Sequence, residues 1–375
     1  MLSFWEKEHF QSYDIGIVGA GIVGLSTAIS IKEADKNLKV VILERGLLPT
    51  GASTKNAGFA CVGSFTEIVD DLQHNSLDEV VGLMQMRYEG LAMLKGRLGE
   101  KNMDYQENGS HELLFGEAQV DLDIMAAVNE KTNAILGRKA FSVSHKKSVF
   151  GGGVKMLIEN HLEGSLNTGL LMQSLINIAL RLGVEIKTGY TVKSIKRTEN
   201  GIHLVHSSLP LLVKKIAFCT NAFTSLILPD LIIAPGRGQV LVTKPLKKLS
   251  FQGIYHFDAG YYYFRNYKNR VIFGGGRSID KAGEATTEFG INEKIQLDLK
   301  DKLARIILPN QAFEIDYYWS GIMAFGADKN PIVKKVGLHQ FVAVKLGGMG
   351  IAIGSMVGAQ LANMIIQDLN EDDLS

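Results

Sequence analysis

The chain of 375 residues is long enough for two domains with sizeable cores, and its 46% hydrophobic and 21% charged residues are ordinary for a globular protein. A formal net charge of +1 leaves no electrostatic footprint for nucleic acid, and no unbroken apolar run approaches the roughly 18 residues of a membrane span, so no transmembrane segment is expected. The opening MLSFWEKEHFQS lacks a basic start followed by an apolar stretch, and Cys61 and Cys219 stand far apart without a disulfide framework, so a reducing, cytoplasmic location is expected.

Residues 13–44, YDIGIVGAGIVGLSTAISIKEADKNLKVVILE, read as strand, glycine turn, helix and second strand. Ile15, Ile17 and Val18 suit a buried parallel strand, and Gly19, Gly21 and Gly24 follow in GxGxxG spacing. Gly19 permits a sharp turn, Gly21 lets backbone approach a pyrophosphate, and Gly24 lets the helix pack closely. Ile22 and Val23 open that helix, whose free N–H groups and positive dipole end face the phosphates. The second apolar strand, 39–43, ends at Glu44, about twenty residues after the last glycine, where an acid meets the ribose hydroxyls. An acid there favours FAD or NAD over NADP. Arg45 follows it at the same edge of the sheet.

The next stretch, RGLLPTGASTKNAGFACVGS, is rich in small and hydroxyl residues and lacks apolar periodicity. Ala52, Ser53, Thr54, Asn56, Ala57 and Gly58 would offer donors to a ligand at the sheet's carboxyl edge. GASTKNAGF resembles the second flavin-binding segment of the FAD-dependent amine and amino-acid oxidoreductases, the family of D-amino-acid oxidase, glycine oxidase and sarcosine oxidase.

Apolar residues at steps of three and four predict a helix over 66–100 and another over 117–136, with a strand at 112–115 between them. An apolar helix over 170–182 follows, with Gly183 as its C-cap and a strand from 184. Residues 162–195 resemble the third strand unit of the same family, in which the residue matching Val192 touches the adenine through its backbone. His203 and His206, three apart on a strand, point to opposite faces, and the other histidines are not at ligand spacing, so no metal is expected.

Residues 213–225 form a strand that runs into a small-residue turn at Thr220, Asn221 and Ala222, which the resemblance places beside the cofactor. Cys219, at the end of that strand, reads as a buried inert thiol. PGRGQVLVT resembles the family's crossover into the substrate sheet; Arg237 within it faces the site or fixes the junction. Aromatic density peaks at 255–273, where strand alternation puts Tyr261 and Tyr263 on one face, with Arg265, and Tyr262 on the other. The last segment, YYWSGIMAF followed by LGGMGIAIGSMVGAQLANMII, places Gly321 and Met323 before a second glycine turn. Gly347, Gly348, Met349, Gly350 and Ile351 open a second helix suited to electron-rich oxygen. One long ligand stretched between two glycine units fits non-covalent FAD.

The resemblance implies an α/β protein with an α+β insert. A dinucleotide-binding (Rossmann-like) FAD domain would be assembled from residues 1–75, 145–235 and 321–375, and a mostly antiparallel substrate domain from 76–144 and 236–320. It also implies oxidation of the C–N bond of an amine or amino acid, with hydride passing to flavin N5, hydrolysis of the imine, and oxygen or an electron carrier as acceptor. Substrate-pocket candidates are Tyr261, Tyr263, Arg265, Met323 and Arg237. Where the family's amino-acid oxidases carry a carboxylate-gripping arginine after the glycine matching Gly321, this chain has Ile322 and Met323, which opens the role to Arg237, Arg265 or Arg277. The strand 270–276 lacks the lysine that speeds reaction with oxygen in the sarcosine-oxidase branch. A flavin dehydrogenase of a 2-hydroxy acid or glycerol phosphate, and a non-catalytic dinucleotide-binding module, are the alternatives.

Overall fold

In a computed structural model, which describes residues 2–116, 119–144, 149–199, 201–206 and 209–373, the apolar strand Ser12–Val18 lies at the centre of a sheet. It pairs in parallel with Val40–Leu43 on one side and Leu211–Phe218 on the other. Glu185–Lys187 extends the first side, and Gln340–Val344, then Ile332–Gly337, extend the second. Ile15, Ile17, Ile42, Ala217 and Phe341 have no exposed surface, as expected of parallel strands covered on both faces.

Helices Ile22–Ala34 and Gly350–Asp373 pack on this sheet, and their contacts with each other and with Leu77–Leu98 set the geometry of the site. Helix Ile22–Ala34 packs along Gly350–Asp373, which also packs on Leu77–Leu98. The approach is close because side chains are absent where the helices cross. A Cβ on Gly358 would lie 2.6 Å from Ser26 Cβ and 2.9 Å from Thr27 N, and one on Gly90 would lie 2.4 Å from the Ala352 carbonyl oxygen. Gly350–Asp373 is long and apolar enough to cross a membrane by composition, yet Val357, Leu361 and Ile365 are buried among these helices. At its far end Asp368 accepts hydrogen bonds from Lys215 and Lys335, while His339 Nδ1 lies 3.4 Å away. This ties the helix to the sheet edge.

A second sheet of eight strands runs in the order Ile315–Phe325, Ala234–Thr243, Arg270–Gly275, Tyr262–Tyr267, Ile254–Phe257, Ser110–Phe115, Val154–Asn160 and Phe141–Ser144. It is antiparallel throughout except where Ile254–Phe257 meets Ser110–Phe115. The α/β organisation with a mostly antiparallel second sheet therefore stands.

Several boundaries differ from expectation. The helix expected over 66–100 is two, Phe65–Asp71 and Leu77–Leu98, because Ser76 and Glu79 form a capping box that starts the second afresh. The helix expected from 117 is Leu122–Leu136, started by the Asp121 side chain; residue 117 lies outside the described residues. Helix Thr168–Arg181 starts two residues early on an Asn167 cap. Strand Val154–Asn160 and the 321–325 end of Ile315–Phe325, both in stretches assigned to the FAD domain, hydrogen-bond in the second sheet. The boundary at 145 lies outside the described residues.

Two outcomes test this packing. Gly358→Ala gains up to about 1 kcal/mol in an isolated helix, but here it should lower stability by about 1–3 kcal/mol through overpacking, read as a fall in Tm. Burial alone would raise the Asp368 carboxyl, but hydrogen bonds from Lys215, Lys335 and His339 outweigh it and hold it at about 2. A depressed carboxylate contributes stability that is complete above its unfolded value of 3.8 and lost as pH falls toward 2. Asp368→Asn should therefore lower stability at neutral pH and flatten its dependence on pH between about 4 and 2, measured by denaturant melts.

Candidate active site

The turn after Ser12–Val18 is tight for a physical reason. Gly19 has φ +106°, and a Cβ there would lie 2.7 Å from the Cys219 carbonyl oxygen, while one on Gly24 would lie 1.9 Å from the Gly19 oxygen. Only hydrogen fits at either position, so the helix starts directly against the strand end. Gly21 caps that helix with no side-chain hydrogen bond, which leaves donors of the first turn for a ligand. The Ile22 N–H is already engaged, donating to Ser53 Oγ at 3.0 Å.

These groups open onto a cavity of about 830 Å³ between the two sheets. Gly19, Gly21, Ile22, Val23, Glu44 and Arg45 line it, as expected. Glu44 is buried and held by two backbone donors, Ala20 N–H at 3.1 Å and Gly46 N–H at 3.0 Å, one on each oxygen. Each oxygen keeps a second lone pair for a hydroxyl donor. The Arg45 guanidinium lies 3.8 Å over the Phe223 ring, and Val192 and Tyr190 line the same end. Thr220 and Asn221 line the middle, where the Lys345 N–H donates to Asn221 Oδ1 at 3.3 Å and so ties this turn to the last strand. Gly347, Gly348, Met349, Gly350 and Ile351 line the wall at the start of helix Gly350–Asp373.

The second glycine-rich segment is one turn of helix, Ala52–Lys55. Ala52, Ser53, Asn56 and Ala57 face the cavity, but Thr54 turns back to donate to the Pro49 carbonyl at 2.7 Å, and Gly58 lies behind the wall. Helical period explains the difference, since Ser53 and Asn56 are three apart on one face and Thr54 is not. Ala222 is likewise displaced, fully buried in the core beneath its turn. The helix is pinned to the second sheet by Trp319, whose Nε1 donates to the Lys55 carbonyl at 2.8 Å. Lys55, which was not among the expected site residues, also lines the cavity.

Beyond the dinucleotide-shaped part, the cavity continues over the second sheet. Tyr261, Tyr263, Gly321 and Met323 line it as expected, and Tyr262 points the other way to bond Asp298 at 2.8 Å. Burial pushes the Tyr263 hydroxyl up to about 12, so it remains a neutral donor.

Of the three arginines considered, two are structural. Arg237 pairs with Glu284, with a shortest contact of 2.8 Å, and donates to the Glu288 carbonyl. Arg265 bridges the Gly58 and Leu166 carbonyls at 2.8 and 2.7 Å; burial lowers it to about 10, so it stays cationic at neutral pH. Neither lines the cavity. Arg277 does, with its guanidinium 4.3 Å over Phe325 and no carboxylate partner among the described residues. Glu67, Asp70 and Lys329 also line the cavity, and Lys329 holds Glu67 at 2.7 Å.

A cluster not foreseen in the sequence completes this lobe. Cys61 Sγ lies 3.6 Å from His256 Nε2, which stands 3.5 Å from Glu163 Oε2. Burial pushes the Cys61 thiol well above its ordinary value, and Glu163 adds to this. Burial would lower the His256 imidazole, but Glu163 holds it up. The three residues come from separate segments, so no local spacing announces them.

A family model described as FAD dependent oxidoreductase matches residues 14–364. The probable oxidoreductase OrdL of Haemophilus influenzae is 24% identical over 412 residues, covering 98% of this chain and 91% of its own. Gamma-glutamylputrescine oxidoreductase of Escherichia coli is 22% identical over 394 residues, covering 96% and 85%. The crystal structure of glycine oxidase from Geobacillus kaustophilus superposes with a TM-score of 0.78 at 17% identity, covering 95% of each chain, and so shares the fold.

The donor set predicts a graded response. Glu44→Gln keeps the shape of the side chain but loses its charge, and the expected ribose contact predicts FAD binding weaker by about 1.5–3 kcal/mol, read by flavin fluorescence on titration of apoprotein. Arg265→Met removes the one nitrogen that donates to both the Gly58 and Leu166 carbonyls, so it should lower Tm and release FAD more readily. Thr54→Ala should leave FAD affinity within about twofold, since its hydroxyl bonds only its own loop.

Proposed function

The chain belongs to the FAD-dependent oxidoreductase family, and from that premise we propose that it oxidises the C–N bond of an amine or amino acid. We propose further that the two glycine turns, Glu44 and the Ala52–Ala57 segment hold the FAD. Bound FAD supplies the two-electron acceptor that takes hydride from the carbon bearing nitrogen, and the imine released is hydrolysed by water. The protein's task is to bind and orient the substrate and to keep competing water out.

The observation that carries the reading is the mixed charge of the lobe beyond the dinucleotide seat. Arg277, Glu67, Asp70 and Lys329 line it together with Tyr261, Tyr263 and Met323, and Lys329 is paired with Glu67, which leaves Arg277 and Asp70 as its unpaired charges among the described residues. Such a lobe suits a molecule with a carboxylate at one end and a cationic nitrogen at the other. A hydroxy acid or glycerol phosphate would meet Asp70, for which no cation partner exists among the described residues, and would gain nothing from it. Names of relatives add support, since gamma-glutamylputrescine and glycine each carry an amine and a carboxylate. Met323 in place of an arginine argues for a longer, more apolar substrate than glycine, with Arg277 gripping its carboxylate from a different strand end.

Anaerobic mixing of the yellow protein with D-amino acids, N-methyl amino acids, polyamine derivatives and hydroxy acids tests this directly. One amine class should bleach the flavin, and readmitted air then separates oxygen from a carrier as acceptor. Bleaching by hydroxy acids alone would refute the reading. For a carboxylate-bearing substrate, Arg277→Met should raise KM by more than about tenfold with little change in kcat.

A further inference from the structure

We infer that Cys61, His256 and Glu163 form a three-ligand site for a divalent transition metal of the zinc class, with its fourth position open to the substrate lobe. Sequence spacing gives no hint of it, because the ligands meet only through tertiary structure. The two-residue strands Phe59–Ala60 and Gly164–Ser165 pair, and this brings Cys61 beside Glu163; His256 arrives on strand Ile254–Phe257 of the second sheet.

Geometry carries the inference. A tetrahedral zinc with bonds of about 2.3 Å to sulfur and about 2.0–2.1 Å to nitrogen or oxygen sets sulfur and nitrogen about 3.6 Å apart, and nitrogen and oxygen about 3.4 Å apart. The observed separations are 3.6 Å between Cys61 Sγ and His256 Nε2 and 3.5 Å between His256 Nε2 and Glu163 Oε2. The three ligand atoms all lie within 4.8 Å of one another.

The carboxylate is prepared for the role. Glu163 has no exposed surface, and its Oε1 accepts the Val62 and Gly63 N–H groups at 2.7 and 2.8 Å. Its Oε2 makes no hydrogen bond of ordinary length, with His256 Nε2 standing 3.5 Å away. A fully buried carboxylate oxygen so weakly paired is costly, and a cation satisfies it. Anchoring of one oxygen by backbone also fixes the direction of the other, as supports around metal ligands do.

Charge closes as well. A divalent ion with one thiolate, one carboxylate and one neutral imidazole sums to zero, which suits a buried place, and binding releases the thiol proton. Sulfur, nitrogen and oxygen donors in one set favour zinc over magnesium or calcium. Cys61 and His256 line the cavity, so the fourth position takes water or a carboxylate oxygen or amine nitrogen of a bound ligand. Three protein ligands and one exchangeable position is the pattern of zinc sites that act on substrates.

Metal content is read without turnover, so the outcome is independent of the substrate reading. The flavin-loaded protein, offered zinc and then passed through metal-free buffer, should retain about one zinc per chain by mass spectrometry. Cobalt in its place should give absorption bands in the red, beyond the oxidised flavin. Cys61→Ser and Glu163→Gln, with flavin content confirming the fold, should weaken zinc binding at least about tenfold, while Cys219→Ser leaves it unchanged. Should the site variants fail to fold, thiol labelling of Cys219→Ser protein decides: zinc should protect Cys61 and a chelator should restore its labelling. No retained zinc, an adventitious ion held equally by all variants, or labelling indifferent to zinc would overturn the inference.

Discussion

The close crossing of the first and last long helices is the contact on which the site depends. Gly354 and Gly358 let Gly350–Asp373 approach Ile22–Ala34 to backbone distance, and the two helices begin at one cavity wall. Two positive helix ends then face one cavity from separate parts of the chain. The parallel sheet beneath holds both starts in register, because Ser12–Val18 and Gln340–Val344 flank the same strand, Leu211–Phe218. Loss of that crossing would separate the two halves of the seat even with every lining residue present.

The dinucleotide half was legible in the sequence because its demands are local. A turn that tolerates only hydrogen at Gly19 and Gly24, an acid at the end of the next strand and a run of small residues at 51–58 each announce themselves within a few positions. The exceptions were positions whose side chains turn the other way on a single helical turn, Thr54 above all, or sink into the core, as Ala222 does. Membership of the second sheet was legible for the strands within 236–320, but not for Val154–Asn160. Its antiparallel partners are Ser110–Phe115 and Phe141–Ser144, and pairing between separate strands leaves no mark within the strand itself.

The arginines show the limit most clearly. Alternation put Arg265 on the face of Tyr263, and that much holds, but the cavity ends before it, and its guanidinium reaches under the wall to Gly58 and Leu166. Arg277 follows the bend at Gly275 and Gly276, both with positive φ, so strand periodicity says nothing of where it points. The part of the cavity over the second sheet is thus lined by residues after bends and from separate segments, whereas the part at the glycine turns is lined by residues of local motifs.

The central claim is that both glycine units hold one long ligand. Apoprotein titrated in parallel with FAD and FMN tests it most directly, because FMN lacks the adenosine half that Glu44, Arg45 and Val192 would contact. Binding of one FAD per chain, with FMN weaker by at least about a hundredfold, is the expected result. Equal affinity for the two flavins, or no flavin binding at all, would contradict it.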